Sequence, residues 1–173
     1  MSKLSNIYHI YLFGEINYEQ GKSVVCEIDK ANQSNQYTSI LLTICSPGGM
    51  FYPSFAMFDS IKNSKLPVDT IASGSCGTML LQAGRTRYAT KNSYIMIHPS
   101  NSTIPQSKPH EEFMALANQY DSEHQRFIEL SASRSGMDKA EFDKLCKDKM
   151  RVYLSPKEAL EFGTNGLIDK IIE

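Results

Sequence analysis

Thr38-Ser39-Ile40-Leu41-Leu42-Thr43-Ile44-Cys45-Ser46-Pro47-Gly48-Gly49 is the stretch whose reading decides the fold. Thr38 to Cys45 is an apolar run of strand length. Such runs suit a strand buried on both faces of a parallel sheet. The run stops at Ser46-Pro47-Gly48-Gly49, a strong turn signal. A double glycine after a buried strand lets the backbone take positive φ and come close to a ligand. Its N–H groups can then face a developing oxyanion, although a plain tight turn reads the same way.

Towards the N-terminus, Ile7 to Phe13 is rich in β-branched and aromatic residues and predicts another strand. Gly14-Glu15-Ile16-Asn17 then turns the chain into a helix over Tyr18 to Asn32, with Val24, Val25, Ile28 and Ala31 at helical spacing. Towards the C-terminus, a helix is predicted over Phe55 to Lys62 and a strand over Val68 to Ala72. That strand breaks at Ser73-Gly74 and gives way to a helix over Cys76 to Ala83. Two short strands, Arg87 to Ala89 and Tyr94 to Ile97, precede the polar stretch Pro99 to Pro109. A long helix follows, Glu111 to Ala132, with Phe113, Leu116, Ala117, Tyr120, Phe127, Ile128 and Ser131 along one stripe. Gly136 punctuates its end. A short helix covers Asp138 to Lys147. Ser155-Pro156-Lys157-Glu158 opens the last one with an N-cap serine, proline at the first position and a capping-box glutamate. Strands alternating with helices imply βαβ crossovers, a largely parallel sheet and an α/β fold. Functional groups in such folds gather where strands end and helices begin.

The bulk properties narrow the function. A chain of 173 residues with 41% hydrophobic residues suits one domain with a substantial core. Lys and Arg number 18 against 19 Asp and Glu, a formal charge of -1, so there is no basic excess to grip phosphates and nucleic acid is a poor partner. No apolar run approaches the roughly 20 residues that span a bilayer. The polar start, Met1 to Asn6, lacks the apolar core of a signal peptide. Cys26, Cys45, Cys76 and Cys146 are scattered, with no CxxC pair and no spaced Cys/His set, so a structural zinc site is not expected. A reducing, cytoplasmic setting follows as the default.

Three groups that could do chemistry fall at strand ends. One is the Ser46-Pro47-Gly48-Gly49 turn. The second is Gly74-Ser75-Cys76-Gly77-Thr78-Met79, small residues between a strand and a helix, where a nucleophile is exposed. Alone it reads equally as a helix cap. The third is His98, closing Tyr94-Ile95-Met96-Ile97, which alone reads as a satisfied core histidine. Together a hydroxyl, a histidine and backbone donors are the nucleophile, base and oxyanion hole of acyl transfer.

In order along the chain, SPGG, then GSCGTMLLQAG, ATKNSYIMIHP, YLSPKEALEFG and GLIDKI resemble the Clp protease proteolytic-subunit (ClpP) family, over about Ile7 to Ile172. The resemblance implies a crotonase-like α/β spiral of repeated βαβ units. Its head would be about 1–98 and 136–173, with a handle of about 99–135. It implies a serine endopeptidase cutting unfolded polypeptide inside a heptameric ring, two rings stacking as a tetradecamer. A ClpX- or ClpA-type AAA+ unfoldase would feed it, and the subunit would need no cofactor or metal. His98 would be the general base, and Gly49 would donate one oxyanion-hole N–H.

The nucleophile can be counted two ways. Back from Ala83-Gly84, the family serine falls on Ser75, and Cys76 supplies the second oxyanion N–H. Forward from Gly74, it falls on Thr78, followed by Met79. Constant helix packing against Leu80, Leu81 and Ala83 favours Ser75. A deletion that removes the nucleophile is a third possibility. Arg151 stands where the family has the acid that orients the histidine, and arginine has only donors. Asp148 lies nearby, as a substitute or as a solvated loop charge. Asp169 matches a family aspartate with no role in the triad. Two further departures are a short lead-in before the first strand, where the family's axial loop and pore helix are expected to be missing, and Pro105 and Pro109 in place of the handle-strand glycines. The compressed Gly74-Ser75-Cys76-Gly77-Thr78-Met79 segment and Arg151 keep a catalytically inactive, ClpR-type ring subunit open as a second reading. A crotonase-type acyl-CoA enzyme is a third.

Overall fold

The computed structural model describes residues 6–99, 109–149 and 151–173, and of Ser75, Cys76 and Gly77 the backbone alone. Ile7–Phe13 (β1), Tyr18–Gln33 (α1), Ser39–Ser46 (β2), Phe51–Lys62 (α2), Val68–Gly77 (β3), Thr78–Ala83 (α3) and Arg87–Thr90 (β4) alternate as the crossovers required. Tyr94–Ile97 (β5), His110–Ala132 (α4), Lys139–Lys149 (α5), Val152–Leu154 (β6), Pro156–Leu160 (α6) and Lys170–Ile172 (β7) complete the described chain. The sheet runs β1-β2-β3-β4-β7, with β5 pairing β3 and β6 pairing β5. Every pairing is parallel except β5 with β6.

Strand β2 is central, and its burial alternates. Ile40, Leu42, Ile44 and Ser46 are at most 1% exposed, whereas Ser39, Leu41, Thr43 and Cys45 are half-buried. One face therefore holds the core and the other is covered only in part, rather than both being sealed. Helices α1 and α2 supply Val24, Ile28, Ala31, Met57, Phe58 and Ile61 to that core. Helix α2 starts at Phe51, earlier than the apolar spacing indicates, because Pro53 sits in the first turn, where its missing N–H costs nothing.

The largest departure from the sequence reading is β3. It does not end at Ala72 but continues to Gly77. Ala72 pairs with Ile44 and Cys76 with Ser46, so four residues of advance on β3 match two on β2. The bulge is taken up at Gly74, whose φ of +74° is open to glycine and whose missing Cβ would lie 2.8 Å from Cys45 Sγ. Before the bulge β3 pairs with β4, Thr70–Ala72 against Arg87–Ala89. Beyond it β3 pairs with β5, Ser75–Gly77 against Tyr94–Met96. The same strand thus belongs to two parts of a turning sheet.

Helix α4 is buried at His124, Ile128, Ser131 and Ala132, while Phe113 and Met114 are exposed. The expected stripe is sealed only in its later turns, where Tyr120 and Phe127 pack on Phe51 and His124 meets Asp143. The polar stretch after Pro99 lies outside the described residues up to Lys108. At the C-terminal end the capping box forms: Ser155 Oγ accepts from Glu158 N, and the Glu158 carboxylate accepts from Ser155 N at 2.8 Å. Arg87, 2% exposed, is anchored by Asp169 and by the carbonyls of Asn165 and Gly166. It also donates to Gln82 Oε1 at 2.6 Å, and Gln82 Nε2 donates to the Leu167 carbonyl, which ties α3 to the C-terminal segment. Among the described residues, no helix is long and apolar enough to cross a membrane.

Candidate active site

The end of β2 builds the first wall of the site. Ser46 is buried, and its Oγ accepts from Gly48 N at 3.1 Å, which folds the Ser46-Pro47-Gly48-Gly49 turn back on itself. The turn is clamped to the chain after β1: Ile16 N donates to the Gly48 carbonyl at 2.8 Å, and Met50 N donates to the Ile16 carbonyl at 2.9 Å. Gly48 and Gly49 have φ of +102° and +153°. A Cβ on Gly49 would lie 2.2 Å from the Ile16 carbonyl oxygen, so only glycine fits. The clamp uses the carbonyl of Gly48 and the N–H of Met50, and among the described residues Gly49 N–H meets no acceptor. It is a rigidly held donor at the head of α2.

This turn opens on a cleft of about 510 Å³. Ile16, Ile44, Met79 and Met96 give it an apolar floor, and Phe51, Tyr120 and Phe127 form an aromatic side. The Phe51 ring centroid lies 6.2 Å from that of Tyr120 and 6.1 Å from that of Phe127. Glu15 and Glu123 are the carboxylates in the lining, which contains no lysine or arginine among the described residues. Glu123 accepts from Gln119 and from the Tyr52 hydroxyl, and the latter bond holds the Tyr52 phenol above its usual range.

His98 reaches this cleft from the end of β5. Its Nδ1 lies 2.6 Å from the Pro99 carbonyl oxygen. A carbonyl can only accept, so Nδ1 is the donor, and in the neutral ring Nε2 presents its lone pair. That is the tautomer a general base needs. In a Ser-His-Asp triad a carboxylate selects it; here a neighbouring backbone carbonyl does. The candidate acid of the sequence, Asp148, is not the partner of this nitrogen. Asp148 is exposed on the last turn of α5, and among the described residues it makes no hydrogen bond to His98. Arg151 is exposed, and its backbone N–H donates to the Lys149 carbonyl. Asp169 belongs to the Arg87 anchor.

Of the predicted site residues, Gly49 and His98 come together at the cleft, and Thr78 joins them. Thr78 is 2% exposed and its Oγ1 donates to the Met96 carbonyl at 2.9 Å. Ser75 and Cys76 lie on the extended part of β3, with Ser75 opposite Tyr94 and Cys76 opposite Ile95. Tyr94 precedes His98 by four residues. At ~3.3 Å per residue that is roughly 13 Å of strand. Sequence reasoning missed the histidine-orienting carbonyl, which carries no residue-type signal. It also missed the aromatic side of the cleft, whose members lie far apart in the chain.

A family model described as Clp protease matches residues 1–173. The ATP-dependent Clp protease proteolytic subunit of Deinococcus radiodurans is 29% identical over 170 residues, covering 95% of this chain and 79% of that protein. The ATP-dependent Clp protease proteolytic subunit 2 of Treponema denticola is 32% identical over 177 residues, covering 99% of this chain and 84% of that protein. With its whole length matched, its parallel βαβ sheet and its glycine turn facing a histidine, the chain belongs to the Clp protease family.

Proposed function

We propose that the cleft hydrolyses peptide bonds in unfolded polypeptide by acyl transfer to a hydroxyl of the β3–α3 junction. The observation that carries this reading is the meeting of His98, in the tautomer of a base, with the Gly49 N–H across one apolar cleft. A nucleophilic hydroxyl gives its proton to His98 Nε2, and the developing oxyanion is held by Gly49 N–H. His98 then returns the proton to the leaving amine. No carboxylate is needed to set the tautomer, because the Pro99 carbonyl sets it. Oxyanion stabilisation alone sustains part of the rate when a triad is incomplete.

The subunit works in a ring, proposed as a heptamer stacked into a tetradecamer, supplied by an AAA+ unfoldase. Exposed Ile7, Tyr11 and Phe13 along β1 support burial against another protein surface, since such apolar faces seldom stay open to water. Cys26, Cys45 and Cys146 are free thiols and fit the cytoplasm. Family membership favours peptide over acyl-CoA substrates. The test is hydrolysis of unfolded casein and short fluorogenic peptides by the assembled protein, with and without the unfoldase, against His98→Ala. Turnover that needs His98 supports the peptidase. An assembled ring that is silent with both substrates supports the inactive ring subunit instead.

A further inference from the structure

The register of β3 against β5 bears on which hydroxyl faces the histidine. We infer that Thr78, rather than Ser75, is the nucleophile of this site; the inference rests on the peptidase reading above. Two hydroxyl residues lie three positions apart in Ser75-Cys76-Gly77-Thr78, and the pairing treats them differently. Gly77 is opposite Met96, so Thr78 is the next residue on, alongside the turn from Ile97 to His98. The Thr78 Oγ1 contact to the Met96 carbonyl, 2.9 Å, fixes that placement independently of the ladder. Thr78 lines the same cleft as His98 and Gly49. Ser75 pairs with Tyr94, and roughly 13 Å of strand separates that level from His98. A nucleophile must come within about 3 Å of the base. The Ser75 backbone lies at the far level of this stretch and Thr78 beyond its near end.

Thr78 Oγ1 is parked rather than consumed by Met96. A hydroxyl has one proton and two lone pairs, and its proton rotates about the C–O bond. Turning that proton from Met96 towards Nε2 leaves Oγ1 where it is, and substrate-free sites often hold such contacts long until substrate closes them. The balanced step follows. Thr78 Oγ1 bonds to the scissile carbonyl carbon as its proton passes to His98 Nε2. The C–N bond breaks, and the amine leaves with that proton, giving a threonyl ester. Water then attacks the ester carbon, His98 takes the water's proton and passes it to Oγ1, and the carboxylic acid leaves. In this register the amide following the nucleophile is that of Met79, not Cys76. The cost of β-branching is a more restricted hydroxyl.

The deciding experiment is fluorophosphonate labelling of the assembled full-length chain, with the labelled peptide mapped by mass spectrometry. Peptide hydrolysis is measured alongside for Thr78→Val and Thr78→Ser. The expected result is label on Thr78, hydrolysis reduced at least about 100-fold in Thr78→Val, and activity within about tenfold of the parent in Thr78→Ser. Label on Ser75 with Thr78→Val still active overturns the inference and leaves the peptidase reading intact. Absence of both label and hydrolysis in the assembled parent protein overturns both. The mapping on the parent chain needs no variant, so a Thr78→Val that fails to fold does not remove the test.

Discussion

Gly49 and Ile16 are locked together: an added Cβ on Gly49 would fall 2.2 Å from the Ile16 carbonyl oxygen and 2.6 Å from its nitrogen. The contact joins the end of β2 to the turn after β1 and fixes Gly49 in the lining of the cleft. Gly49→Ala must therefore shift the backbone and also adopt a left-handed φ. Such strain costs about 1–3 kcal/mol. The expected outcome is a lower urea midpoint together with a fall in peptide hydrolysis of about 10²-fold or more, the size of losing one oxyanion donor. An unchanged rate would show that Gly49 does not donate to the reacting oxygen.

His98 is only partly buried and its ring bond is to its own neighbour, so removing it should spare the fold. His98→Ala is expected to lower kcat by about 10²–10⁴-fold, with a melting curve close to that of the parent. Asp148→Asn is expected to leave kcat within about twofold, because no bond connects that carboxylate to the ring. A large loss in Asp148→Asn would restore the acid to the site.

The Arg87–Asp169 pair joins residues 82 positions apart and holds the C-terminal segment on the sheet. Burial opposes ionisation of Asp169, but hydrogen bonds and charge from Arg87 outweigh it and hold the carboxyl below its usual range. Its folded pKa is thus lower than its unfolded one. The stabilisation is complete above the unfolded carboxylate range, near ~3.9, and is lost as pH falls through the lower folded value. Asp169→Asn leaves the buried guanidinium without its counter-charge and is expected to cost about 2 kcal/mol at neutral pH. Urea midpoints taken between neutral and acid pH should show the variant losing less stability than the parent as acid is added. Parallel curves would remove Asp169 from the acid response.

Burial, with Asp143 nearby, pushes the Cys146 thiol up to about 12. Cys26 is exposed on α1. In native protein at mildly alkaline pH, iodoacetamide should modify Cys26 readily and leave Cys146 untouched until denaturant is added. Peptide mapping checks this. Rapid labelling of Cys146 without denaturant would show that α5 opens under native conditions.

Local physics wrote much of this structure into the chain. The β-branched and aromatic run from Ile7 to Phe13 and the apolar run ending at Ser46-Pro47-Gly48-Gly49 set two parallel strands. The serine, proline and glutamate at 155, 156 and 158 set the last helix start. Gly49 and His98 were legible because a double glycine and a strand-end histidine need specific backbone or chemistry wherever they occur. Strands β6 and β7, three residues each, were not legible, since so short a segment is extended only when a distant partner pairs with it. The same reason governs the nucleophile. Ser75 and Thr78 sit in one run of small residues with no local preference between them. Helix packing against Leu80 and Leu81 favours Ser75 in the sequence, while the strand outlasts Gly74 and its register against β5 sets Thr78 beside Met96. Composition and spacing determined that the chain folds as α/β and brings a glycine turn and a histidine to strand ends. Which hydroxyl meets them depends on non-local strand pairing, a free energy that no window of the sequence contains.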